Sequence, residues 1–445
     1  MLLYTSTLTL FRVGPGPSSS RSVGPQRAAL NFVHALAADG LLNRTSRVDV
    51  HLLGGLASTG RAVGSDWGIV AGLCGASPEH CDAGTLASLM SRVEAEGRLK
   101  LGGSKAIEFD PTLHVRFHVQ QALAGDANGV RFDARDAEDA TLLSRLYVCG
   151  GDAAVHAADG SQPDVSHPAV PYSFESVAEL LAICRERGKR ITDIARTNEY
   201  ALRSPDEVRE GLKRVAEAMR ASIERGLIAD GTLPGSGARR RASSQRATLE
   251  APDSTPAQRC SVYALAVAEE NAAGGRVVSA PTNGSAGPVA ALLEQWRTTT
   301  PLASDHGAMD FLLAAGAIGG LLRAAGLKQA GCQSAVGVAA AMAASGYAAV
   351  HGGSAGQVML AAERALEPYL GLSCDPVAGR VQQPCIERNV AAAARAVAAG
   401  MSALRVPEPR VGLDGLIAAM IETGRGMAGR FKTASLGIAL NVADC

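Results

Sequence analysis

"GDAAVHAADGSQPDVSHPAVP" (residues 151–171) divides the chain. It is polar and rich in turn-forming residues, the composition of a connector between units. Sequence character changes across it. On its N-terminal side short apolar strands alternate with helices. "RVDVHLLG" (47–54) alternates at period two and predicts a strand, as do "GVRFDARDA" (129–137) and "SRLYVCGGD" (144–152). "PQRAALNFVHALAADG" places Ala29, Leu30, Val33, Leu36 and Ala37 on one helical face, opened by Pro25 and closed by Gly40. From Ser173 onward the periodicity is helical. "SFESVAELLAICRERG" has capping-box spacing, Ser176 with Glu179, and ends at Gly188. "SPDEVREGLKRVAEAMRASIERG" is a long amphipathic helix with Pro205 and acids in its first turn. The expected fold class is α+β: a small α/β domain over 1–155 and a large helical domain over 171–445. Within the second, residues 231–259 read as a flexible Gly/Ser/Arg/Pro loop whose Arg239, Arg240 and Arg241 form a solvated patch.

A chain of 445 residues exceeds one hydrophobic core, which agrees with two domains. Lys plus Arg and Asp plus Glu both number 43, so the net charge is zero and nothing points to nucleic acid or an anionic membrane. Aromatics are only 4% while Gly and Ala abound, and such small residues let helices approach closely. The start, "MLLYTSTLTLFRVG", has neither a positive leader nor a small-residue cleavage site, so no signal peptide is expected. The run "FLLAAGAIGGLL" (311–322) is too short to span a bilayer, and "AVGVAAAMAASGYAAV" (335–350) reads as a buried helix. From these features a cytoplasmic protein is expected.

Two turns are built to receive anions. "GPGPSSSRSVGPQRAAL" presents Ser18, Ser19 and Ser20, with Arg21 beside them, before the helix at Pro25. "VVSAPTNGSAGPVAALLEQW" presents Thr282, Asn283 and Gly284 before a helix near Pro288. Backbone amides at a helix N-terminus, approached through glycines, suit a carboxylate or phosphate. Two such turns in different halves suggest a site where the halves meet.

Of nine cysteines, Cys74, Cys81, Cys149, Cys184 and Cys260 read as small buried hydrophobes, and an odd total in a reducing compartment argues against a disulfide framework. Cys332 and Cys385 each open a helix, where a thiol is more readily a thiolate; Cys374 sits in the loop "LSCDPVAG". The separation of 374 and 385 is too wide for a zinc knuckle. Spacing alone leaves structural cysteines and ligands of an iron–sulfur cluster both open.

"EENAAGGRVVSAPTNG", "GCQSAVGVAAAMAASG", "LGLSCDPVAGRVQQPCIERN" and the terminal "LGIALNVADC" resemble the iron–sulfur L-serine dehydratases (L-serine ammonia-lyases), and "GPGPSSSRSVGP" resembles their N-terminal motif. The match runs in order through nearly the whole chain. The resemblance implies a small serine dehydratase β-type domain, a large helical catalytic domain, a [4Fe-4S] cluster and no pyridoxal phosphate. It further implies that Cys332, Cys374 and Cys385 hold three irons and that Cys445 can cap the fourth. A small amino-acid substrate and a homodimer are also implied. The six lysines, none in a context suited to a Schiff base, agree with a pyridoxal-free mechanism.

The family's histidines are absent where the motifs align. Arg21 follows the serine run, Val63 stands in "STGRAVGSDW" and Asp126 in "GDANGV". Candidates for the base are therefore Asp126 and Lys432, then Asp66; an aspartate needs a raised pKa for that task and a lysine a lowered one. Three outcomes remain open: dehydration of L-serine, the same chemistry on another β-substituted amino acid whose second anion pairs with Arg21, or a catalytically idle sensor closed by Cys445.

Overall fold

The computed structural model describes residues 4–121, 123, 128–150, 155–158, 169–234, 236–301, 303–324, 331–373 and 383–427. The N-terminal part is mixed α/β. Its sheet has five strands in the order β5-β2-β6-β7-β8: β2 (Arg47–Gly54), β5 (Val115–His118), β6 (Asn128–Arg135), β7 (Thr141–Cys149) and β8 (Val155–Ala157). Only β2–β5 is parallel. A hairpin of β3 (Arg98–Leu101) and β4 (Lys105–Glu108) lies apart from that sheet. Helices Gly24–Ala38 and Ser65–Leu73 pack against each other, and one apolar core joins them to the sheet through Phe32, Leu52, Ile69 and Phe132. The buried stripe of Gly24–Ala38 is Ala29, Phe32, Val33 and Leu36. Phe32 completes the i, i+3, i+4, i+7 spacing, while Ala37, expected on this face, is exposed and Leu30 half-buried. β8 falls inside the stretch read as a connector.

The C-terminal part is mostly helical. The fully buried stretch Val336–Ala348 of the helix Val336–Val350 forms its axis, and helices Gly287–Thr299, Asp305–Ala324, Ala355–Leu366 and Gln383–Leu404 pack around it. Small residues set the spacing: a Cβ on Gly346 would lie 2.8 Å from the Phe311 ring. The expected helix boundaries hold at Ser176, whose Oγ accepts the Glu179 amide, and at Ser204, which makes a full capping box with Glu207. Among the described residues two helices are long and apolar enough to cross a membrane, Asp305–Ala324 and Cys332–Val350, but 83% and 78% of their apolar windows are buried inside the protein. They are core helices.

The arginine run differs from expectation. Arg239 is exposed, but Arg240 has a side chain only 9% exposed and pairs with Glu270 at 3.0 Å. The amides of Arg241 and Ala242 donate to the buried Glu269 carboxylate, and Arg241 pairs with Glu387. Two buried carboxylates on the helix Pro256–Ala272 thus hold part of this segment to the core.

The two parts interlock. β1 (Arg12–Pro15) lies antiparallel to β9 (Arg276–Ser279), pairing Arg12 with Ser279 and Pro15 with Arg276. Leu10 and Phe11 belong to the helical core. The fully buried Glu199 accepts from the Thr7 amide and from the hydroxyls of Tyr4 and Ser6. The first residues therefore cross into the helical part before the chain turns back to build the sheet.

Candidate functional site

The crossing brings the two serine- and asparagine-bearing turns together. After β1 the chain enters a tight π-helical turn, Ser19–Val23, in which Ser18 Oγ accepts the Arg21 amide. After β9 it enters a short 3₁₀ turn, Asn283–Ser285, with Thr282 and Ser285 capping each other. Asn283 clasps the first turn. Its amide donates to Ser19 Oγ at 2.7 Å, its Nδ2 donates to the Pro15 carbonyl at 2.9 Å, and its Oδ1 accepts from Ser19 at 3.1 Å. All these groups are buried. Close backbone approach requires glycine at position 16, where a Cβ would lie 2.0 Å from the Asn271 carbonyl oxygen.

The α/β part closes the other side of the first turn. Ser22 Oγ donates to the Val63 carbonyl at 3.0 Å, and Ser65 Oγ donates to the Arg21 carbonyl. Asp66 follows in the first turn of helix Ser65–Leu73. Burial pushes its carboxyl above the usual carboxylate range, partly offset by the Trp67 amide that donates to it. The Arg21 guanidinium and the Asn128 amide oxygen converge on Gly55, whose missing side chain leaves the room.

The cysteine-bearing helices meet the second turn through Asn389. One turn after Cys385 in the helix Gln383–Leu404, its Nδ2 donates to the Gly284 carbonyl at 2.8 Å and to the Cys385 carbonyl at 2.9 Å, and its Oδ1 accepts the Gly287 amide at 3.1 Å. Cys332 lies in the short 3₁₀ turn Gly331–Ser334, just before the helix Val336–Val350. The next residue, fully buried Gln333, accepts the Gly371 amide at 2.9 Å, donates to the Met420 carbonyl and gives its own amide to the Leu372 carbonyl. The Cys332 segment thereby rests against the chain that leads to Cys374.

Ser18, Ser19, Ser20, Arg21, Thr282, Asn283 and Gly284 thus lie in two touching turns, and Cys332 and Cys385 open the helices behind them. Cys374, Cys445, Asp126 and Lys432 lie outside the described residues. Among the described residues no three His, Cys, Asp or Glu side chains are grouped to hold a metal ion. The polar atoms of Ser19 and Asn283 are taken up by each other, by Ser279 and by the Pro15 carbonyl; the Ser20 hydroxyl, 9% exposed, makes no hydrogen bond among the described residues. Asn389 and Gln333 were not singled out from sequence, although Asn389 stands four positions after Cys385, on the same helical face.

Of the other cysteines, Cys81, Cys149, Cys184 and Cys260 are buried as expected, whereas Cys74 is half-buried against the edge of the α/β core. Burial alone pushes Cys149 up to about 12, burial and then Asp193 take Cys184 to about 11, and burial raises Cys260 as well. Cys74 and Cys81 are raised for the same first reason. All five are held as thiols at neutral pH.

Comparison with known proteins follows this division of the chain. Residues 6–159 match the family "Serine dehydratase beta chain" and residues 186–439 the family "Serine dehydratase alpha chain". The chain is 41% identical over 452 residues to an L-serine dehydratase of Streptomyces coelicolor and 40% identical over 453 residues to L-serine dehydratase 2 of Escherichia coli, covering 99% of both chains in each case. An L-serine dehydratase of Mycobacterium bovis is 38% identical over 459 residues, again with 99% of each covered.

Proposed function

The chain belongs to the iron–sulfur L-serine dehydratase family, with β and α parts on one polypeptide, and from that premise we propose the reaction and the residues that carry it out. It is a lyase of the L-serine ammonia-lyase type that works without pyridoxal phosphate. L-Serine loses the Cα proton and the β-hydroxyl as water. The resulting aminoacrylate tautomerises, takes up water and releases ammonia, leaving pyruvate. One observation carries this assignment to the seam: Asn283 and Asn389 tie both anion-receiving turns to the helix that Cys385 opens.

The donor set fits a [4Fe-4S] cluster. Cys332 and Cys385 start neighbouring helices, and the chain toward Cys374 is fastened to Gln333. We assign Cys332, Cys374 and Cys385 as ligands, with Cys445 able to occupy the remaining corner when no substrate is present. When bound, such a cluster supplies one Lewis-acidic iron that makes the substrate hydroxyl a better leaving group. The protein's own part is to hold the substrate. The Ser20 hydroxyl and the turn around Thr282–Gly284 receive the carboxylate, and the Asn283–Ser19 clasp fixes both turns before substrate arrives. Asp126 or Lys432 takes the Cα proton. Asp66, whose raised pKa suits a group that exchanges protons nearer neutrality, is the alternative base. A cluster of this kind needs reduced surroundings, which places the enzyme in the cytoplasm. By analogy with the family we take it to be a homodimer.

A second reading rests on the convergence of Arg21 and Asn128 at Gly55, which suits a substrate with a further anionic group. Anaerobic incubation with L-serine and a panel of β-hydroxy and β-thio amino acids tests both. Pyruvate and ammonia in equal amounts from L-serine support the first reading; turnover confined to a more anionic analogue supports the second; no turnover of any, with a full cluster, would leave the sensor.

A further inference from the structure

Arg388 lies three residues after Cys385 and so shares a helical face with it. Its Nη1 carries two hydrogens, and both are used. One points to Cys332 Sγ at 3.2 Å, the other to the Ser373 carbonyl at 2.9 Å. One nitrogen on the Cys385 helix therefore touches the Cys332 sulfur and the peptide group immediately before Cys374. These contacts span 56 and 15 residues of chain, so local structure does not make them for free.

We propose that Arg388 is a positioning residue that gathers the three cysteine segments and donates an N–H···S hydrogen bond to the Cys332 sulfur when it serves as a cluster ligand. The proposal rests on the cluster assignment above. Two physical arguments carry it. A guanidinium is permanently charged and planar, so it can hold a sulfur and a carbonyl at fixed angles, which a flexible ammonium does poorly. In an iron–sulfur protein, hydrogen bonds to the sulfurs tune the reduction potential. Gln333 fastens residues 371 and 372 to the Cys332 segment from one side, and Arg388 fastens residue 373 from the other. The approach to Cys374 is thus gripped at three consecutive residues from the two other cysteine segments: residue 371 by the Gln333 side chain, residue 372 by the Gln333 amide and residue 373 by the Arg388 side chain.

The test uses the full chain and the variants Arg388→Gln and Arg388→Lys. After anaerobic reconstitution, iron and sulfide per chain are counted and iron release to a chelator is timed. Wild type retains iron; Arg388→Gln releases it ~10- to 100-fold faster, the usual scale for losing a group that orients a metal ligand, and Arg388→Lys falls between. The midpoint potential of Arg388→Gln shifts to more negative values, a change that a merely structural role would not produce. In the metal-free chains, hydrogen exchange of a peptide covering Glu367–Ser373 is faster in Arg388→Gln by about 10-fold, as expected for a lost hydrogen bond to a charged donor. Equal iron release and equal potential in all three proteins would overturn the proposal. A wild type that takes up no iron would overturn the cluster reading instead, and the exchange difference would then decide whether Arg388 gathers these segments.

Discussion

The axis of the helical part and the seam at its end are held together by opposite means. Around Val336–Val350 the contacts are apolar and interchangeable in kind: Phe311, Met342, Leu313 and many alanines, all buried. At the seam, position is set by polar side chains with fixed donors and acceptors, namely Ser19, Asn283, Asn389, Gln333 and Arg388. Apolar packing supplies stability roughly in proportion to area and tolerates small shifts. Hydrogen bonds add little net stability but specify direction, and they are costly when left half-made. The division places stability in one region and the aim of reactive groups in the other.

That division can be broken from either side. The largest effect is expected at the proposed cluster ligands: Cys374→Ala should abolish both iron binding and lyase activity while the thermal midpoint of the metal-free chain stays near wild type. A mutant that still carried a full cluster would remove Cys374 from the ligand set. Next, Phe311→Ala should cost about 3–5 kcal/mol in denaturant titration, yet the fraction that remains folded should bind iron as wild type does. Asn389→Ala strips buried partners from the Gly284 carbonyl and the Gly287 amide, so it should cost about 1–3 kcal/mol and, unlike Phe311→Ala, should lower activity in the folded fraction. The smallest effect is at Asp66. Its folded pKa is raised, so below the usual value of 3.8 it is protonated in both states, whereas near neutrality the folded protein carries a desolvated charge. Asp66→Asn should therefore raise the denaturation midpoint at pH 7, with an advantage that shrinks as pH falls through the raised pKa toward 3.8. An advantage that grew on acidification would contradict the burial argument.

Where a signal was local, the sequence was enough. The period-two stretch at 47–54 is strand β2 from Arg47 to Gly54, and Ser176 caps the helix it was expected to cap. Where the structure depends on distant partners, it was not. "GPGPSSS" reads as a loop, and nothing near it shows that its first residues, Gly14 and Pro15, end strand β1, which pairs with Arg276–Ser279. β8 is three residues long and owes its existence to the edge of β7. The arginines at 240 and 241 looked solvated because their partners, Glu269, Glu270 and Glu387, come later in the chain. Both turns were visible from glycine, proline and hydroxyl content. That Ser19 and Asn283 would satisfy each other was not visible, because it requires the two turns to touch.

The pairing of Arg12–Pro15 with Arg276–Ser279 also makes the first residues a latch. Each part keeps its own apolar core, yet the N-terminal arm is lodged in the other. Were the polypeptide severed between residues 151 and 171, the N-terminal fragment would still own the arm that recognises its former companion. Separately produced fragments should therefore reassemble in trans, and trimming the first fifteen residues should abolish that reunion while sparing the sheet.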